Sequence, residues 1–367
     1  MTIDPVRFLS RAVETPSHES VEGMRTLVTD TLQTQGGTSV EVGTDEAGNV
    51  IARRGAGRPR LTLNTHLDTV PPPLPFDRNG GRIRGRGACD AKGPLAAMLA
   101  AFTEAELENG ALELILTPDE ETDSAGAASL SLETDGVIVG EPTDLAVCTA
   151  ARGRFEGTIR LEGTGAHAAG PAAGANAISA AATVLAGLDS FDTEYGPAPH
   201  PRLGAPTVTP TLIKGGEAAN RVPATATITI DRRSVPPESA ETFFDRLRRH
   251  LGDLVPDTVD IQVSPADRRT PFLEAFETDE THPLVETFLE AGAGGPRAFG
   301  AATEASYFAM DAPTVVFGPG VLADEEGPVA HSDREYVEIP AVRRASEILR
   351  ATIEGFLAAH VPGNGPS

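Results

Sequence analysis

LELILTPDEET, residues 112–122, ends an apolar run at a proline and then sets Asp119, Glu120 and Glu121 in a row. The run reads as a short buried strand. Adjacent carboxylates repel, and crowding disfavours their ionised forms unless positive charge lies close by. On an open loop, water and salt screen that repulsion. At the C-terminal end of a buried strand, where α/β proteins place their sites, the alternative is a metal ion.

The flanking sequence favours such a sheet. NVIARR, RLTLNTHLD, LELILT and GVIVG are short apolar runs bounded by turn residues, and they read as strands. PVRFLSRAVE and SVEGMRTLVTDTLQ carry apolar residues at helical spacing, and KGPLAAMLAAFTEAELENG reads as a helix ending at its glycine. This alternation predicts an α/β fold with a mixed, mainly parallel sheet flanked by helices. From about residue 152 the pattern changes. RFEGTIRLEG and ATATITIDRR alternate strictly, with Phe155, Gly157, Ile159 and Leu161, and Ala226, Ile228 and Ile230, each on one face. A period of two signals strands with one wet face. Residues 152–264 therefore read as an inserted α+β domain, splitting the first domain into 1–151 and 265–367.

Composition narrows the function. The chain of 367 residues carries a net charge of -23, which argues against nucleic-acid binding. Lys92 and Lys214 are the only lysines. An acidic, lysine-poor surface suits very high salt, where screening relieves self-repulsion, and points to a halophilic source, an archaeon. No apolar run is long enough for a membrane span, and the N-terminus has no signal-peptide core, so a cytoplasmic protein is expected. Two cysteines make neither a disulfide framework nor a zinc motif. A hydrophobic content of 40% predicts order everywhere but the PGNGPS tail.

Five segments carry metal-competent side chains at strand ends or turns: His66 and Asp68 in NTHLDTVPP, Asp90 in GRGACDAKG, the opening triplet, Glu141 in GVIVGEPTD, and His331 in PVAHSDREYVEI. Taken singly each has a plain reading, Asp90 as a helix cap and Glu141 as a turn residue. Together they supply nitrogen and oxygen ligands without thiolate, a set suited to Zn²⁺, with Co²⁺ or Mn²⁺ as replacements.

In order and spacing these motifs resemble the acetylornithine deacetylase, succinyl-diaminopimelate desuccinylase and carboxypeptidase family of two-zinc hydrolases, over nearly the whole chain. The resemblance implies that His66, Asp90 and Glu141 bind one metal. Asp90 bridges to a second, completed by Glu121 and His331. It implies Glu120 as general base, Asp68 as the carboxylate orienting His66, and the insertion as a lid and dimerisation domain. It further implies that His167 acts across a homodimer on the oxyanion, and that Asn220 and Arg233 contact substrate. Arg232 should point to the opposite strand face. The implied activity is deacylation of a small N-acyl amino acid in lysine or arginine biosynthesis, with N-succinyl-diaminopimelate first, then acetylornithine or a dipeptide. The sequence departs from the common pattern at Glu304, where many relatives carry aspartate, and at Asp333 and Arg334 before the acidic-aromatic pair. Both bear on substrate choice.

Overall fold

The computed structural model describes residues 2–36 and 40–359, so the PGNGPS tail lies outside the described residues. They form two compact units. One comprises the described residues up to Ala150 with those from Glu277 on, and the other is Ala151–Phe276.

The first unit is built on a mixed sheet. Its order is Glu41–Thr44, Val50–Gly55, Ala111–Thr117, Arg60–His66, Gly136–Val139, Thr314–Val316 and Ala146–Ala151, with Gly294–Phe299 beside the last. The four strands from Ala111–Thr117 to Thr314–Val316 run parallel, so their C-terminal ends open on one side. Helix Pro5–Val13 packs against helices Lys92–Glu104 and Ile339–Ala359, which themselves lie on this sheet. Asp4 starts the first of them, its Oδ1 accepting the Val6 N–H at 2.9 Å ahead of a proline in the first turn. Lys92–Glu104 is buried along most of its length and stops at Glu104, short of the glycine where the sequence placed its end. The reason is Arg54, whose guanidinium donates to the carbonyls of Phe102 and, at 3.0 Å, Ala105, taking up groups a longer helix would have bonded itself.

The second unit is an antiparallel sheet, ordered Thr207–Gly215, Thr225–Ser234, Gly153–Glu162 and Asp260–Pro265, with helices Ala177–Glu194 and Ala240–Gly252. Phe155, Ile159, Leu161, Ala226, Ile228 and Ile230 are buried against Phe191 and Phe243, as the alternating pattern requires. The unit extends beyond residue 264. Ala266 donates to the Glu156 carbonyl at 2.8 Å, Arg154 to that of Leu273 at 2.8 Å, and Phe272 packs edge-on to Phe155.

Arg232 does lie opposite Arg233, but that face is the core. Its guanidinium is fully buried, forked onto Glu238 with two 2.8 Å bonds, bonded to Asp192, and stacked over Phe243. Removing one partner of such a pair strands the other charge. Glu238→Ala should therefore cost about 3–5 kcal/mol, seen as a lower urea midpoint.

Candidate metal centre

Each expected ligand leaves the first unit's backbone at a strand end or in a neighbouring loop. His66 is the last residue of Arg60–His66, Glu120 and Glu121 follow Ala111–Thr117, and Glu141 follows Gly136–Val139. Asp90 lies two residues before the start of Lys92–Glu104, and His331 sits in the loop before Tyr336–Glu338 in left-handed backbone, φ 61°.

Asp90 joins the two histidines. Its Oδ1 lies 3.2 Å from His66 Nε2 and its Oδ2 3.2 Å from His331 Nε2. His331 Nε2 is also 2.9 Å from Glu121 Oε1. Ligand atoms of His66, Asp90 and Glu121 all fall within 4.8 Å of one another. His66 Nδ1 faces the main-chain oxygen of Asp68 at 3.0 Å, leaving Nε2 for the site. The Asp68 carboxylate is 3.3 Å from the same nitrogen, but its two oxygens also accept the N–H groups of Glu120 and Glu121 at 3.1 and 3.0 Å. It thus places the pair of glutamates as well as the imidazole.

Two residues that sequence reading gave no role here lie beneath this set. Thr303 donates to Glu141 Oε1 at 2.9 Å, and Thr117 donates to Glu304 Oε1 at 2.5 Å. Glu304 Oε2 is buried with no hydrogen-bond partner. Neither threonine stands out by spacing or charge, so only Glu304 left a trace in the sequence.

The donors fit divalent cations. Asp90, Glu141 and Glu304 are buried, and among the described residues neither they nor Glu120 and Glu121 pair with an arginine or lysine. Without a metal, protons must stand in. Burial pushes Glu141 up to about 8, with Asp90 adding to it, and Glu304 up to about 7. Burial also drives Glu120 well above the carboxylate range, helped by Glu141 and Glu304. Hydrogen bonds to Asp90 and Glu121 raise His331 to about 10. For Asp90 burial acts the other way, but bonds from His331 and His66 outweigh it and hold the carboxyl well below its usual range. Beside Asp68 and Glu121 a cleft of about 350 Å³ opens, walled by Ser17, His18 and Thr69.

The residues expected to act from the insertion lie in the second unit. His167 and Asn220 come together there: Ala166–His167 pairs with Arg221–Val222, and Ala168 donates to the Asn220 carbonyl at 2.9 Å. Both side chains are exposed. Arg233 lies on the four-stranded sheet, its Nε bonded to Asp231 at 2.7 Å.

The sequence pattern of peptidase family M20/M25/M40 matches residues 62–355. The chain belongs to this family. A "Putative [LysW]-lysine/[LysW]-ornithine hydrolase" of Pyrobaculum aerophilum is 36% identical over 324 residues, spanning 86% of this chain and 87% of the relative. Among solved structures, aminopeptidase PepT from Bacillus cereus superposes with a TM-score of 0.77 at 20% identity, covering 96% of this chain and 99% of that one. The M20 family metallo-carboxypeptidase Sso-CP2 from Sulfolobus solfataricus gives 0.72 at 16% identity, covering 97% and 99%. These likenesses establish the fold. As a member of the family the protein is a metal-dependent hydrolase acting on amide bonds.

The titrating groups make a signed prediction for the metal-free protein. Glu141 and Glu304 bind more protons folded than unfolded, so rising pH works against the fold from their ordinary 4.5 up to about 8 and about 7. His331 stabilises fully below its ordinary 6.5 and loses that contribution as pH climbs through about 10. All three act in one direction. Chelated protein should unfold at progressively lower temperature from about pH 5 to about pH 9, and added divalent cation should flatten that slope. A metal-free unfolding temperature that rises over this window contradicts the electrostatics described above.

Proposed function

We propose that the protein hydrolyses an amide that blocks an amino group of lysine or ornithine, using two divalent ions. The observation carrying this reading is the Asp90 carboxylate, shared at 3.2 Å between His66 and His331. One position is assigned to His66, Asp90 and Glu141, the other to Asp90, Glu121 and His331. Zn²⁺ suits these nitrogen and oxygen donors, with Co²⁺ as replacement.

Divalent ions held there supply Lewis acidity, polarising an amide carbonyl and acidifying water. The remaining chemistry belongs to the chain. Glu120 is held by the bond from its N–H to Asp68, and as the carboxylate of this set with no assigned ion it is free to exchange a proton. It takes a proton from water as the water oxygen bonds to the carbonyl carbon. As the C–N bond breaks, Glu120 returns that proton to the departing nitrogen. His167 is assigned to the charge developing on the carbonyl oxygen, and Asn220 and Arg233 to a substrate carboxylate.

For the substrate, the name of the Pyrobaculum relative supports a lysine or ornithine amide ahead of N-succinyl-diaminopimelate. The net charge of -23 with two lysines supports a protein that works in concentrated salt. Zinc- or cobalt-loaded protein in concentrated KCl should release free amine from [LysW]-lysine, [LysW]-ornithine or N-acetylornithine, and chelation should abolish it. Turnover confined to dipeptides would instead assign a peptidase. Glu120→Gln should keep both ions and lose at least about 100-fold in kcat. Near-wild-type turnover in that variant would remove Glu120 as the base.

A homodimer through the second unit is part of this reading. The edge strand Thr207–Gly215 has one unpaired side and exposes Leu212 and Ile213 at 60% and 55%, the kind of edge that pairs with another chain. Ile213→Asp should shift the mass in solution, read by light scattering, from dimer to monomer.

A further inference from the structure

Glu335 is a buried carboxylate that the chemistry above does not use. It is 1% exposed and lies four residues beyond His331 on the same loop. Its Oε1 accepts the backbone N–H groups of both Cys89 and Asp90, each at 3.2 Å. Its Oε2 accepts from Arg86 at 2.8 Å. The Arg86 guanidinium, 5% exposed, also donates to the carbonyls of Ser332 at 3.1 Å and Pro72 at 3.0 Å. One ion pair therefore holds three stretches together: the turn carrying Asp90, the loop carrying His331, and Pro72.

Its neighbours close the same loops from outside. Gly85 donates to the Glu335 carbonyl at 3.2 Å, and Tyr336–Glu338 pairs antiparallel with Arg82–Arg84. Arg334, adjacent to Glu335, turns outward and bonds Asp324 and the carbonyls of Gly327 and Pro328. These contacts hold a loop in which His331 keeps a backbone conformation that non-glycine residues seldom adopt.

We propose that the Arg86–Glu335 pair is a positioning element that sets the separation of Asp90 from His331, and with it the affinity of the cation those two residues share. The inference rests on the two-ion reading above. An ionised carboxylate is suited to the task because charge-assisted bonds to two successive N–H groups fix the Asp90 backbone in both position and direction. Arg86 is needed because an uncompensated carboxylate this close to Asp90 would carry the full penalty of a buried charge. Lysine cannot replace it, since a point charge does not reach three acceptors in a planar fork. A purely structural pair would lower stability and leave metal affinity alone. A positioning pair changes the affinity itself.

The test uses the full chain, chelated and then titrated with Co²⁺, followed by calorimetry and visible absorption, for wild type, Arg86→Lys, Arg86→Met and Glu335→Gln. Unfolding temperature of the metal-free forms is recorded in parallel. The expected result is a second Co²⁺ bound about 10–100-fold more weakly in the variants, with an altered visible band. In metal-saturated protein, kcat should fall by more than KM rises. If Glu335→Gln does not fold, Arg86→Lys, the mildest change, decides between the two roles. Variants that take up both ions with wild-type affinity and spectrum overturn the proposal, whatever happens to their unfolding temperature. Wild-type protein that binds fewer than two ions overturns the two-ion reading and this inference together.

Discussion

Negative charge gathered where water is largely excluded is the constraint on which the rest of this molecule depends. Asp90 and Glu141 are buried at the heart of the site, Glu304 lies beneath it, and Glu120 and Glu121 stand beside them. No arginine or lysine among the described residues offsets them. Two histidines meet part of the demand, and Asp90 stays charged because both lie against it. Protons or divalent cations must meet the remainder. Without a cation the site is thus electrostatically frustrated, and relief of that frustration favours cation binding.

The sheet makes the gathering possible. Four adjacent strands run parallel, so His66, the Glu120–Glu121 pair and Glu141 leave the backbone on the same side. Parallel pairing in the sheet's interior also explains why these strands look apolar nearly throughout, since both of their faces are buried. Around that frame a layer of bonds fixes each donor. Asp68 holds the backbone of Glu120 and Glu121, Thr303 holds Glu141, and Glu335 holds the backbone of Asp90. Supporting contacts of this kind turn a loose cluster of acids into a site with a defined geometry.

Legibility in the sequence follows the range of the interactions. Period-two alternation exposed the strands of the second unit, because side-chain direction along a strand is a local property. The same alternation placed Arg232 and Arg233 on opposite faces. Continued two residues past Ile230, it also puts Arg232 on the apolar face; what it could not supply was the pair of carboxylates, Glu238 and Asp192, that compensates a guanidinium buried there. The overlong reading of Lys92–Glu104 failed for a similar reason. Helical propensity continues past Glu104, and a guanidinium from a neighbouring strand ends it.

The sequence by itself determined the chemistry available: a nitrogen and oxygen donor set, its order along the chain, an α/β frame and a strongly acidic, lysine-poor composition. Those are properties of residue type and of spacing over a few turns or a single strand. Tertiary structure alone decided which of these groups meet, and who supports them. Glu335 reaches the Asp90 backbone across 245 positions and Thr303 reaches Glu141 across 162. No periodicity encodes partners so far apart, since each is chosen by the packing of whole elements. The acceptors and donors concerned are often main-chain groups, which every residue carries and no sequence pattern distinguishes.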